Sequence, residues 1–262
     1  MGRYFRSLRR FWGTALATQL EYQLNVWIEL IAVGLSLIGS LFMLSLFFGP
    51  GQDLGGWTWS EALIVQGFYT VLDGLASTFL RPNLSAIVTH VRDGTLDFVL
   101  LKPIDSQFWV SFRTVSPAGV PEVLLGLILV VWGSYQAGAS WSLGAMSLVL
   151  LMLFAAAVIL YSLWFLIAAT SIWFVKTGNA TEVLRVVLAS GRYPVTAYPA
   201  PLRLLFTLVI PVAFLTTVPA EVVLGRASTN LLWLGLGLAV VFLVAARRFW
   251  LFALRHYTSA SS

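Results

Sequence analysis

The sequence predicts an all-α membrane protein with six transmembrane helices, and composition, run length and the placement of cations carry that prediction. Of 262 residues, 59% are hydrophobic and 10% are charged. A soluble domain has about 45–50% apolar residues and roughly a quarter charged. The mean hydropathy is +0.87. Residues 30–48, LIAVGLSLIGSLFMLSLFF, form an uncharged run close to the ~20 residues that a spanning helix needs. There are no cysteines, which excludes disulfides, thiolate nucleophiles and cysteine metal sites.

The first element, residues 1–23, reads as an amphipathic helix lying on the membrane. Phe5, Leu8, Trp12, Ala15 and Leu16 recur at helical spacing, while Arg3, Arg6, Arg9 and Arg10 fall mostly elsewhere on the wheel. A secretory signal fits poorly, because the apolar run begins only after residue 24 and no small-x-small cleavage site follows it. Six spans follow, at about 25–48, 61–80, 118–135, 145–175, 202–219 and 230–250. Pro121 and Glu122 interrupt the start of the third. The fourth reaches roughly 45 Å as a straight helix, so it must tilt, kink or project.

Cations test this count. With six spans and both termini cytoplasmic, the inner segments carry Arg3, Arg6, Arg9 and Arg10, then Arg81, Arg92, Lys102 and Arg113. Lys176, Arg185, Arg192 and Arg203 follow, then Arg247, Arg248 and Arg255. Of the 16 Lys and Arg residues, only Arg226 falls outside, the lopsided split of the positive-inside rule. The net charge of +5 is then explained by topology and anionic lipid headgroups, and nucleic acid is not needed as a partner.

Several chemistries are excluded or disfavoured. No G-x-x-x-x-G-K-[ST] occurs, so the chain does not bind ATP through a P-loop of its own. His90 and His256 are far apart and no H-E-x-x-H exists, leaving neither a metal site nor a Ser–His hydrolase, and no catalytic residue is assigned. Asp73 lies inside the second span. A lipid-facing aspartate there would cost roughly 2.5–3.5 kcal/mol, so it must face protein or a water-filled cavity. A place in a translocation pathway and a structural polar contact both satisfy that condition. Glu29 and Glu122, near the inner ends of their spans, read as anchors or local ion pairs.

The loop at 81–116 gathers His90, Arg92, Asp93, Asp97 and Lys102. Pro82 is expected to end span two, with Asn83 as N-cap of a new helix. Leu84, Ile87, Val88 and Val91 give that helix one apolar face. Gly94 suits a left-handed C′ position, Thr95 can cap a second short helix with Asp97 in its first turn, and Pro103 stops it. This helix–Gly–helix elbow is either an amphipathic loop on headgroups or a docking element.

The residues resemble a known family: the permease subunits of type-two ATP-binding-cassette (ABC) transporters, the exporter-like class. Within it the chain is most similar to a bacterial branch with paired, non-identical permeases. The similarity covers nearly the whole chain, through LEYQLNVW, GGWTWSEALIVQG, RPNLSAIVTHVRDGTLDFVLLKPIDSQFWVSFR and GRYPVTAYPAPLRLLFTLVIPVAFLTTVPAEVVLG. It implies a bacterial inner membrane location, two copies of a separate ATPase that holds the ATP and Mg, a second permease, and no cofactor in this chain. Residues 83–93 match a cytoplasmic coupling helix that docks on the ATPase, and Gly94, Thr95, Leu96 and Asp97 match a signature that follows it. Related exporters bend near the outer surface where Pro211 and Pro219 stand here. Two other classes compete with this reading: a stand-alone six-span channel or carrier using Asp73, and an intramembrane enzyme, for which no nucleophile–base pair is present. Few polar residues are available to line an aqueous path, which points to a hydrophobic or amphipathic substrate.

Overall fold

The computed structural model describes residues 12–13, 23–49, 51–174 and 178–258, with the side chains of 23–26 and 178–180 excepted. The surface helix expected over 1–23 lies outside these, apart from Trp12 and Gly13. The described residues contain no strand. The helices are α1 (Gln23–Ser45), α2 (Trp59–Leu75), α3 (Arg81–Arg92), α4 (Leu96–Leu100), α5 (Ser106–Phe112) and α6 (Val120–Gln136), then α7 (Leu143–Ala169), α8 (Gly178–Leu188), α9 (Ala200–Leu204), α10 (Val212–Leu215), α11 (Thr217–Val223) and α12 (Thr229–Arg255). Five segments are long and apolar enough to cross a bilayer: Trp27–Ser45, Trp59–Arg92, Pro117–Gln136, Leu143–Ile172 and Thr229–Arg255.

The bundle is built on backbone contact. Along α2 and α6, Gly67, Gly74, Gly126 and Gly133 let the two helices touch. A Cβ added at Gly126 would stand 2.6 Å from the Val71 nitrogen, and one at Gly74 would stand 2.7 Å from the Gly119 oxygen. Lipid tails are as apolar as leucine, so such van der Waals approach, more than apolar burial, holds membrane helices together. α7 and α12 pack beside this pair, with Phe165 and Trp250 both fully buried at their contact.

The second span differs from expectation. Pro82 does not end it, and Asn83 does not cap a new helix. The chain is helical from Trp59 to Arg92, through a π-helical turn at Ala76–Leu80. Proline removes an N–H and frees the carbonyl four residues back. Here that carbonyl, Thr78 O, accepts the Ser116 N–H at 3.0 Å or less, 2.9 Å. Asn83, buried, donates to Phe79 O (2.7 Å) and Thr114 O (2.6 Å) and accepts from Thr114 N–H (2.8 Å). With the freed backbone groups satisfied, the helix continues as a rod of 34 residues, about 50 Å.

The fifth crossing also differs. The segments Ala200–Val209 and Val212–Val223 meet at a 67° bend where Ile210 is extended and Pro211 follows. Both ends of this pair lie at the Glu61 end of α2. At its start, Arg203 donates to Thr196 O (2.8 Å), and Thr196 in turn bonds Trp57 Nε1 (3.0 Å) and Gly55 O (2.9 Å). Beyond its finish, Arg226 meets Glu61 at 3.0 Å. The segment expected to cross at 202–219 is thus sharply bent, and both of its ends have contacts at the Glu61 end of α2. Trp173, before α8, packs on Phe249 and His256 at the opposite, His90 end. Arg203, expected beside the inner cations, stands with Arg226 at the Glu61 end, and Arg192 lies over the Tyr69 ring at 4.9 Å, within the bundle.

Candidate functional site

At the His90 end the continuous second helix passes through Gly94 into α4 and then α5. Gly94 has φ +67°, the left-handed C′ geometry expected of it. α3 and α4 form an elbow whose apolar side turns inward: Leu84, Ile87 and Leu96 are fully buried. Of the other residues singled out by sequence, Val88, His90, Val91, Gly94, Thr95 and Asp97 are half-buried, and Arg92 and Asp93 are exposed. Those two pair with each other at 2.9 Å. Thr95 makes no capping bond to α4. Its hydroxyl lies 2.7 Å from His90 Nδ1. The His90 ring packs on Trp109 (centroids 5.7 Å apart), which also carries the Arg113 guanidinium at 4.6 Å.

The elbow's exposed surface includes two large apolar side chains that helical periodicity does not single out, Phe98 (68% exposed) and Leu101 (81%). Their signal was present in the run FVLL. Period-3.6 reasoning assigns one face of such a run to the core, but cannot tell which face until the neighbouring helices are known.

The elbow is tied to the membrane helices through α5. Asp105 caps α5 by accepting from Phe108 N–H (3.0 Å) and takes Arg247 of α12 at 2.7 Å. Trp250 donates to Ser106 (3.0 Å), while Gln107 and Ser111 both reach Tyr161 of α7 (3.1 and 2.8 Å). Burial works to raise the Asp105 carboxyl, but the Arg247 guanidinium and the Phe108 N–H hold it below its ordinary value of 3.8. The elbow is thus joined to three spans: by helical continuity to α2, and by hydrogen bonds to α7 and α12.

Inside the bundle, Asp73 forms an ion pair with Arg81 of the same helix. Ser77 sits between them and the sixth helix, donating to Glu122 (3.0 Å) and receiving Arg81 Nη1 (2.9 Å). Asp73 therefore has a structural partner, and Glu122, expected as an anchor or local ion pair, accepts instead from the Ser77 hydroxyl. Among the described residues, no three His, Asp or Glu side chains group as metal ligands.

The profile described as ABC-2 family transporter protein matches residues 35–261, most of the chain and every described crossing in whole or part. The chain belongs to the ABC-2 transporter family. No curated protein matches it. As an ABC-2 permease it is a multi-pass membrane transport component, and the family association implies an ABC ATPase as its partner. The elbow of this permease has a buried apolar seam inside, an exposed apolar edge outside, and hydrogen-bonded links to the spans.

Proposed function

We propose that this chain is one permease of a bacterial ABC exporter, driven by a separate ATPase that docks on the elbow at Arg92, Asp93, Phe98 and Leu101. The observation that carries the proposal is the elbow itself, exposed at Phe98 and Leu101 yet continuous with the second span. Force applied there moves α2 as a rod, and the Asp105–Arg247 and Gln107–Tyr161 links carry it into α12 and α7. The buried coupling-helix residues Asn83, Leu84, Ile87 and Leu96 would serve by holding the elbow's shape, and the half-buried Val88, His90 and Val91 by framing its edge. The chain has no P-loop, so ATP and Mg belong to two copies of the ATPase, and a second, non-identical permease completes the pathway.

The His90 end is read as cytoplasmic because Arg92, Lys102, Arg113, Arg248 and Arg255 gather there, against Arg203 and Arg226 at the other. That supports a plasma-membrane orientation with the N-terminus inside. The apolar spans favour outward movement of a hydrophobic or amphipathic substrate. The Asp73–Arg81 pair weighs against a stand-alone carrier built on a free Asp73 carboxylate.

The test is co-purification of the full chain with an ABC ATPase from its host. Phe98→Asp and Leu101→Asp, both at exposed positions, should abolish ATPase binding or substrate-stimulated hydrolysis without lowering the yield of folded permease. A complex that survives both substitutions with unchanged coupling would overturn the proposed docking edge. ATP-independent transport by the chain alone, lost in Asp73→Asn, would overturn the ABC reading in favour of a carrier.

A further inference from the structure

A cavity apart from the elbow's exposed edge and from the polar network around Asp73 opens among the described residues. It is a cleft of about 640 Å³ between the π turn of the second helix, α5, α7 and α12. That size falls in the ~300–1,000 Å³ range of sites that enclose a small organic ligand. Its long walls are aromatic and aliphatic, with Phe79, Phe108, Phe112 and Phe154 the main contributors. One end is different. Asp105 and Arg247 both line it, the pair meeting at 2.7 Å with side chains 35% and 41% exposed.

We propose that this cleft binds a zwitterionic phospholipid of the surrounding bilayer, one carrying a phosphate and an amine, with its head at the Asp105–Arg247 pair and an acyl chain along the phenylalanine walls. Three features select that occupant. The walls are apolar along their length and polar at one end only, the pattern of an amphiphile. The polar end holds both signs of charge, so a purely anionic head meets Asp105 and a purely cationic one meets Arg247. A head with both charges can set its phosphate against the guanidinium and its amine against the carboxylate, and charge complementarity of this kind governs selectivity more than raw affinity. The third feature is depth. Trp12 packs on Phe79 (centroids 5.8 Å apart) and donates to Phe112 O at 3.1 Å, placing an indole on the cleft wall. Tryptophan concentrates at the level of lipid headgroups, and the polar pair lies on the same, His90 side of the bundle.

The proposal goes beyond the exporter reading and does not depend on it: the lipid binds whether or not an ATPase drives the chain. The experiment uses the full chain in nanodiscs containing traces of photoactivatable phosphatidylethanolamine or phosphatidylglycerol, each bearing the crosslinker on an acyl chain, with labelled peptides mapped by mass spectrometry. The phosphatidylethanolamine probe should mark the peptides holding Phe79, Phe108–Phe112 and Phe154 about tenfold more than the phosphatidylglycerol probe, a ~1.4 kcal/mol preference. Excess unlabelled phosphatidylethanolamine should displace it, while phosphatidylglycerol should not. Ala157→Trp, at a half-buried position on the cleft wall, should fill the cavity and remove the labelling while leaving the ion pair untouched. Equal labelling by both probes would reveal unselective boundary lipid and overturn the proposal. Crosslinks joining two protein chains through these peptides would overturn it too, by showing the cleft occupied by protein. The wild-type competition needs no variant, so a poorly folding Ala157→Trp leaves the test intact.

Discussion

Asp73 and Arg81 are eight residues apart on one helix, a separation that in a regular α-helix leaves their side chains about 80° apart around the axis. The π turn at Ala76–Leu80 lies between them and, with more residues per turn, rotates Arg81 back toward Asp73. An intramembrane carboxylate and an intramembrane guanidinium are each costly alone, so the pair should behave as a unit. Asp73→Asn should destabilise the protein by roughly 1–3 kcal/mol, below the ~3–5 kcal/mol of a fully buried pair because both groups are partly exposed. The Asp73→Asn, Arg81→Gln double variant should recover part of that loss in thermal unfolding in detergent, and strict additivity would show that the two do not interact. The second charged link answers to pH. Asp105 is held below 3.8 when folded, so its contribution is present above that value and is lost as pH falls through the depressed one. Unfolding scans should show the wild type losing its advantage over Asp105→Asn as pH drops below about 4, with the two alike at neutral pH only if the pair contributes nothing.

At the scale of elements, the α2–α6 seam is the least forgiving contact in the molecule. Gly126→Leu must push its Cβ into the Val71 backbone 2.6 Å away, and backbone cannot step aside as a flexible side chain does. Overpacking commonly costs about 1–3 kcal/mol, occasionally more, and here we expect the upper part of that range, read as a lower unfolding midpoint and reduced folded yield. Gly237→Leu provides the control, since nothing lies within 4 Å of a Cβ there. Equal stability of the two variants would mean that α2 and α6 do not touch through their glycines. The elbow is a second lesson in elements. Its apolar periodicity and its Gly94 turn were legible in the sequence, whereas its mechanical continuity with the second span was not. Pro82 reads locally as a stop. Only Ser116, 34 positions along the chain from it in sequence and adjacent in the fold through Thr78 O, makes the proline harmless.

For the whole molecule, the topology turns on the bent pair, which we propose to be a re-entrant hairpin because both of its ends have contacts at the Glu61 end of α2. If residues 200–223 formed one broken span, Ala200 and Asn230 would face opposite sides of the membrane. In the re-entrant arrangement both lie at the Glu61 end. The chain has no cysteine, so single substitutions can be labelled without background. Ala200→Cys and Asn230→Cys, both exposed, should react with an impermeant maleimide from the same side, and Thr89→Cys from the other. Labelling of Ala200→Cys together with Thr89→Cys would restore the straight span. Arg203 and Arg226, both at the less basic Glu61 end, each have partners there. Arg203 donates to backbone carbonyls, and Arg226 pairs with Glu61 and lies over the Trp57 ring at 4.0 Å.

Composition and run length by themselves determined that this is an all-α membrane protein, because no other use of so many apolar residues is stable in water. The elbow's apolar periodicity and its glycine turn also followed from local properties of the chain. The motifs in the coupling loop were sufficient to suggest the family. Three matters were left to the tertiary structure: the path through Pro82, the bend at Ile210–Pro211, and which side chains of the elbow face outward. Each depends on hydrogen bonds or packing between residues distant in sequence, such as Ser116 to Thr78, Thr196 to Gly55 and Leu84 to the bundle core. Hydropathy reports whether a segment prefers lipid or protein to water. It does not report which end of the bundle that segment comes back to.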